Sequence, residues 1–411
     1  MRRFGIAILT LAIAFGAAAP GARGEDKSPS YTLKFSGYFK ADAAYDQSRV
    51  NAGNYGLYVL DKPENDVMSI TARETRLGLD FSWKENEIET AAKLEFDFYG
   101  LGASSATLNS QDNKATSMLR HAYVQLTKGR WSVLAGQTSD IMSPLVPKTV
   151  NYTVCWDQGN IGYRRPQFRV SGWVNTSERI KLTATAGAAR SLGGDLDGDK
   201  VDDGADAGVP VAEGRVGLSA KVGEKSAFDL GFSGHYGREE YDVSGETKDV
   251  TSWSSNVDCR LAANDAFELA GELFIGQDLG AYYGGVGQTV GYLKEEIGSM
   301  GGWGQVSVKF GDRVWLNAGY GLDDPDEEDF AVVPVSADSL TKATKQTFID
   351  CNSVIFGSVF YSVTSNVTAM LEVSQLSTDY IYKVYVNDAP RKSSATFDDL
   401  RVQFAIKAAI K

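Results

Sequence analysis

After its first 24 residues the chain alternates apolar and polar side chains with period two, and no later stretch approaches the roughly 18 consecutive apolar residues of a spanning helix. The runs Leu77-Gly78-Leu79-Asp80-Phe81-Ser82-Trp83 and Phe228-Asp229-Leu230-Gly231-Phe232-Ser233 show the pattern. It persists to the end, where Leu400, Val402, Phe404 and Ile406 interleave with Arg401, Gln403, Ala405 and Lys407. Such alternation gives a strand one apolar face and one polar face.

The connections sort by length. Short polar turns stand at 84–87, 128–130, 176–179, 223–226, 263–265, 311–313 and 364–366. Between them lie longer stretches, roughly 46–67, 101–116, 139–165, 191–212, 240–250, 276–300, 322–350 and 378–396. Seven turns and eight loops make fifteen connections, hence sixteen strands. The expected fold is therefore all-β: a 16-stranded antiparallel transmembrane β-barrel, porin-like, with long outer loops and short periplasmic turns. Tandem sandwiches or a propeller would also give many strands, but their connections would not sort by parity. Trp83, Trp131, Phe98, Tyr99, Tyr236, Tyr320 and Tyr361 stand near strand ends, where interfacial aromatic girdles are expected.

Arg2 and Arg3, the apolar run Phe4–Ala19 and the small residues up to Gly24 have the form of a secretory signal. Residues 1–24 are read as a signal peptide and 25–411 as the barrel, located in the bacterial outer membrane. Losing Arg2, Arg3 and Arg23 takes the net charge from −12 to −15. That acidity excludes a nucleic-acid partner, which needs a basic face. Three cysteines in 411 residues exclude a disulfide scaffold, and nothing in the spacing of Cys155, Cys259 and Cys351 selects a pair.

Catalysis has little support. Only His121 and His235 exist, and no nucleophile elbow, H-E-x-x-H, P-loop or C-x-x-C motif occurs. His235 shares a strand face with Ser233, which leaves a lumenal hydrolase as a remote alternative to a lumen-lining histidine. With the apolar phase facing lipid, Arg76, Lys93, Arg169 and Arg215 look inward, as do Asp80, Glu95 and Asp97. Arginines in a narrow pore attract anions, carboxylates above all, unless each one pairs with a neighbouring acid.

Loop 139–165 differs from the other seven. It is apolar and aromatic, with Ile141, Met142, Leu145, Val146, Tyr152, Val154, Cys155, Trp156 and Tyr163, and with Pro144 and Pro147. It is the candidate constriction loop, folded inward on the barrel wall. The alternative is a surface loop buried at a subunit contact.

The run from Ser117 to Leu126, then Trp131 to Ser139, closing at Arg165-Pro166-Gln167-Phe168-Arg169, resembles the DcaP-like trimeric porins. Thr75-Arg76-Leu77-Gly78-Leu79-Asp80 and Lys93 to Gly100 match the preceding strands of that pattern, so the similarity spans about residues 68–175. The resemblance implies a homotrimeric outer-membrane channel with an arginine-bearing constriction that favours small anionic solutes, dicarboxylates included. It places Arg76, Arg120, Arg165 and Arg169 in the pore lining. Arg120 owes its inward orientation to the resemblance alone, because both phases of residues 118–126 contain apolar side chains.

Asp195, Asp197, Asp199 and Asp202, with Gly198, have the alternating oxygen pattern of a calcium loop but lack the glutamate that closes an EF-hand. The other reading is a solvated acidic loop. Residues 323–329 carry six acids without ligand spacing and are read as solvated or bridged to lipopolysaccharide by divalent ions. The function expected is passive diffusion of small hydrophilic, anionic solutes, with no enzyme activity and no cofactor beyond that Ca2+. The alternative is a barrel whose outer loops serve as receptor or adhesin.

Overall fold

The structure is a computed structural model that describes residues 31–410 apart from 52–55, 63–64, 101–114, 196, 244–245, 292–294, 331–345 and 387–388. The signal segment and most of the 101–116 and 322–350 loops lie outside the described residues. The strands are β1 (Tyr31–Asp46), β2 (Val67–Thr71), β3 (Arg76–Glu85), β4 (Ile88–Gly100), β5 (Thr116–Lys128), β6 (Trp131–Ser139), β7 (Arg164–Asn175), β8 (Ile180–Ala189) and β9 (Val211–Lys221). They continue with β10 (Ala227–Val243), β11 (Glu246–Asn264), β12 (Phe267–Gln277), β13 (Gly298–Phe310), β14 (Val314–Pro325), β15 (Gln346–Ser362), β16 (Val367–Val386) and β17 (Ala389–Ala409). Each pairs antiparallel with its neighbours, and β1 pairs with β17, so the sheet closes and leaves no edge.

The seventeen segments make sixteen staves. The upper half of β1 pairs with β2 and its lower half with β3, so β2 and β3 are one stave broken at residues 72–75. At the break the Lys40 amide donates to Thr75 Oγ1, and that hydroxyl donates to the Lys40 carbonyl, both at 3.2 Å. A side chain thus replaces the missing rungs of the ladder. The seven short turns stand where the sequence put them.

Burial is the reverse of a soluble protein. Lys40, Asp42, Asn256, Asp258, Gln305, Ser307, Glu372, Arg401 and Gln403 are buried, whereas Phe232, Leu273, Ile275, Ile355, Phe404 and Ile406 are exposed. The apolar phase covers the outside as an apolar belt and the polar phase fills the inside. Trp131, Tyr236, Tyr320 and Tyr361 are exposed, as girdle residues should be. Tyr99 is not: it turns inward and is buried against Tyr152, at 4.1 Å between ring centroids.

Two outer connections depart from the expectation of long loops. The β10–β11 ladder runs without a break to Val243 opposite Glu246, and the β16–β17 ladder to Val386 opposite Ala389. At 20 and 21 residues, β16 and β17 are about twice the length a spanning strand needs. The extra residues satisfy their backbone groups by pairing with each other rather than by coiling as loops.

A β-bulge explains the mixed phases of residues 118–126. Glu95 opposes His121 while Phe96 opposes Leu119, so Arg120 is the extra residue. The shift turns Arg120 inward without disturbing the apolar phase on either side.

The belt makes a direct prediction. Leu273→Lys, on the outer face of β12, should lower folding stability in a bilayer by about 2–4 kcal/mol, measured by urea titration of vesicle-folded protein. A change below about 1 kcal/mol would place Leu273 away from the hydrocarbon.

Candidate functional site

Residues 140–163 fold inside the barrel. The chain leaves β6, crosses the staves at a steep angle and hangs on the inner wall by its backbone. The amide of Ile141 donates to Glu213 on β9 at 2.7 Å, that of Ser143 to Ser233 on β10 at 3.4 Å, and that of Leu145 to Glu272 on β12 at 2.7 Å. The amide of Lys148 donates to Gln305 on β13 at 2.7 Å, and that of Val150 to Glu372 on β16 at 2.5 Å. The Val150 carbonyl accepts from Lys40 on β1 at 2.9 Å and from Gln403 on β17 at 3.3 Å. Tyr152 then reaches Asp97 on β4 at 3.0 Å and Arg120 on β5 at 2.7 Å.

The step lengths fit an extended chain running across strands. Four residues cover about 13 Å, and β9 to β12 is three interstrand steps, about 14 Å. Pro144 and Pro147 have no amide of their own to satisfy. The wall thus accepts the amides of Ile141, Ser143, Leu145, Lys148 and Val150, and three of its acceptors are glutamates.

The return segment packs on two other loops. Cys155 joins Val50, Val59, Val354, Phe356 and Leu376 in a buried cluster. Trp156 stacks on Tyr283 of the 278–297 loop at 4.5 Å and 8°. Gln158 donates to the carbonyls of Gly56 and Leu57 at 2.9 and 2.6 Å. Gly159 sits at φ +105° with its α-carbon against the Gly302 carbonyl, and a Cβ at Gly321 would collide with the Gln158 carbonyl. Both positions need glycine, the first for its backbone angle and the second for close approach.

Gly285, Val286 and Gly287 have φ of 63°, 51° and 69°. This left-handed run points its amides at carboxylates, as a backbone nest does. Asp323 accepts from Gly285 at 3.2 Å and from Ser299 at 2.6 Å. Asp157, on the inner loop, accepts from Gly287, and burial together with the nearby Asp323 charge pushes its carboxyl well above the usual range. Asp323, expected to be solvated with the rest of 323–329, is instead fully buried here.

The expected lining residues separate into groups. Arg76, Lys93 and Arg120 converge on Glu95 at 3.5, 3.2 and 3.4 Å. Lys93 also reaches Asp80 at 3.4 Å, and Arg120 bonds Asp97 at 2.5 Å. Arg215 lies on the inner face in a two-bond pair with Asp258, at 2.9 and 2.6 Å. Arg165 is sealed away: it is fully buried, bonded to Asp140 at 2.9 Å and laid over the Tyr282 ring at 4.0 Å. It braces the root of the inner loop and presents no charge to an open lumen.

Arg169 is different. It is half-buried on the inner face of β7, donates to the Ser139 carbonyl at 3.0 Å, and has no carboxylate within ion-pair distance among the described residues. Tyr123, Gln125, Ser132, Leu134, Thr138 and Ser171 complete a cavity of about 260 Å³ around it. Lys40, Arg73, Glu74 and Tyr152 also belong to the interior network; Lys40 stands in the polar phase of β1, but period two does not find the other three. Arg73 and Glu74 sit in the break between β2 and β3; Tyr152 sits in an irregular loop.

The acidic loop regroups its ligands. Asp195, Asp197 and Asp203 bring carboxylate oxygens within 4.8 Å of one another. Asp202 instead caps the short helix Asp203–Asp206 by accepting from Gly204 at 3.1 Å, and Asp199 accepts from Val201 at 2.7 Å. The turn of helix moves Asp203 into the place expected of Asp202. His235 bonds Ser254 at 2.7 Å and Ser252 at 3.0 Å and stacks on Tyr282 at 4.0 Å. Ser233, its supposed nucleophilic partner, accepts from the inner loop instead.

No protein-family model matches the sequence, and no curated protein matches it in sequence. Solved structures do resemble it. The outer membrane channel DcaP of Acinetobacter baumannii superposes with a TM-score of 0.68 at 17% identity, over 95% of this chain and 100% of that one. The anion-selective porin from Comamonas acidovorans gives 0.55 at 14%, over 93% and 100%. OmpT of Vibrio cholerae in its trimer form gives 0.53 at 10%, over 93% and 100%. The fold is that of the bacterial outer-membrane porins, and its apolar belt places the chain in the outer membrane. Among these structures the DcaP channel has the fold that the run from 68 to 175 resembles in sequence.

Removing one wall acceptor tests the suspension of the inner loop. Glu372→Ala strips the partner from the Val150 and Asn151 amides and should destabilise the protein by about 1–3 kcal/mol in urea titration. Single-channel current should become noisier as the loop loosens.

Proposed function

We propose that the chain is a passive diffusion channel for small hydrophilic anions, with organic carboxylates as the natural class. The barrel supplies the path, and residues 140–163 supply the constriction. Arg169 carries the anion preference, because its charge faces a polar cavity with no acid paired to it. Arg76, Lys93 and Arg120 outnumber the one glutamate they share, and with Asp80 and Asp97 they form a transverse field rather than a uniformly basic wall. The fold of an anion-selective porin supports this reading. So does the sequence resemblance over residues 68–175.

The assembly we infer is a homotrimer in contact with outer-membrane lipid and lipopolysaccharide, supported by the fold shared with a porin solved as a trimer. Conduction needs no catalytic residue, and the two histidines are held by serine, threonine and aromatic neighbours.

Planar-bilayer recording tests the proposal. The wild type should show stepwise ohmic openings and a reversal potential that favours chloride over potassium. Arg169→Ala should lower that preference severalfold, and Arg76→Ala less, because Arg76 already leans on Glu95. A barrel that never opens would leave the receptor or adhesin reading in its place. An unchanged preference in Arg169→Ala would remove this residue from the selectivity.

A further inference from the structure

Glu213, Glu272 and Glu372, though buried, accept amides of the inner loop, and Asp140 and Asp258 hold arginines. Two buried acids at the outer rim have no such partner. Glu239 is 3% exposed on the inner face of β10, and no hydrogen bond or ion pair reaches its carboxylate among the described residues. Asp278 is wholly buried at the start of the 278–297 loop. Its amide donates to the Ile297 carbonyl at 3.0 Å and its carbonyl accepts from Ser252 at 2.8 Å, yet both of its carboxylate oxygens are enclosed without a partner among the described residues.

The two face a third buried acid, Asp203, which opens the short helix. The charges of Asp278 and Asp203 both act on Glu239, and that of Asp203 acts on Asp278. Gly193 shows how closely the acidic loop lies over β10: a Cβ there would stand 2.9 Å from Glu239 Oε2 and 2.7 Å from the amide nitrogen of Gly204, the residue joined to Asp203. The arginines around the group are taken. Arg190 reaches Asp202 at 3.8 Å, Arg238 pairs with Asp249, and Arg165, whose charge acts on Glu239, is bonded to Asp140. Buried carboxylates gathered in this way are costly unless a cation joins them.

Toward solvent, Asp203 meets the exposed Asp195 and the half-buried Asp197, and carboxylate oxygens of the three lie within 4.8 Å of one another. Ligand oxygens about 2.3–2.6 Å from one calcium ion stand at most about 5 Å apart, so the three fit a single ion that enters from outside. Calcium suits them better than magnesium, because it accepts irregular carboxylate geometry and fills its remaining positions with carbonyls and water.

We propose that Asp195, Asp197 and Asp203 bind one calcium ion, and that Glu239 and Asp278 are the buried charges behind it that the ion offsets. The ion ties the 191–206 loop to the rim of β10 and to the loop that carries Tyr283, the stacking partner of Trp156. The site is separate from the channel reading, and its test needs no current.

The test titrates calcium chloride, at neutral pH, into protein folded in detergent micelles free of lipopolysaccharide, and follows binding by calorimetry and stability by thermal unfolding. Wild type should half-saturate at about 0.1–1 mM, and its unfolding transition should rise by several degrees. Asp203→Asn should weaken binding about tenfold or more. Should that variant fail to fold, Asp195→Asn, at an exposed position, should weaken binding severalfold. Asp278→Asn keeps the shape and removes a buried charge: its transition without calcium should lie above that of wild type, and calcium should raise it less. No binding and no shift in wild type, or binding unaltered in both Asp203→Asn and Asp195→Asn, would overturn the proposal. So would a transition that moves with pH but not with calcium, since protons alone would then offset the buried charge. A lower transition in Asp278→Asn would overturn the role given to the buried pair.

Discussion

An irregular segment inside a membrane barrel must find partners for its buried amides, and here the wall provides several. Glu213, Glu272 and Glu372 accept the amides of Ile141, Leu145 and Val150, while Ser233 and Gln305 accept those between. A buried carboxylate without a cation is unfavourable in most settings, but one that accepts amides is stabilised by them. The exchange satisfies two groups that would each be costly alone. The shape of the lumen follows from it, because the path of residues 140–152 is set by where those acceptors stand.

Much of this was legible in the residues. Strict alternation through β9 to β17 and the parity of the connections gave the strand number, since both reflect lipid on one side and polar groups on the other. The apolar content of loop 139–165 signalled that it is covered. The misses share a cause: a local feature that breaks the period. The bulge at Arg120 mixes two phases within one strand. The break at 72–75 hides Arg73 and Glu74 between two strands, and one helical turn exchanges Asp203 for Asp202. The extended hairpins escaped because a polar ladder above the membrane has the composition of a loop.

Charge shows a similar gap between total and place. The formal net charge is −12, yet most lumenal cations are matched by acids at contact distance. Pairing with an acid describes Arg76, Arg120, Arg165 and Arg215. Arg169 is left without a carboxylate at that distance among the described residues. The buried interior holds more acids than cations, among them Glu213, Glu272 and Glu372, which accept amides of the inner loop.

The wall contacts of the inner loop join residues far apart in the chain. Ile141 meets a residue 72 positions later, Leu145 one 127 later, Val150 one 222 later, and the Val150 carbonyl one 253 later. The acceptors on β16 and β17 are synthesised long after the amide and carbonyl they meet. The path of the inner loop is therefore complete only when β1 has met β17, because the Val150 carbonyl takes a bond from each. Sequence-distant contacts of this kind form late and slowly.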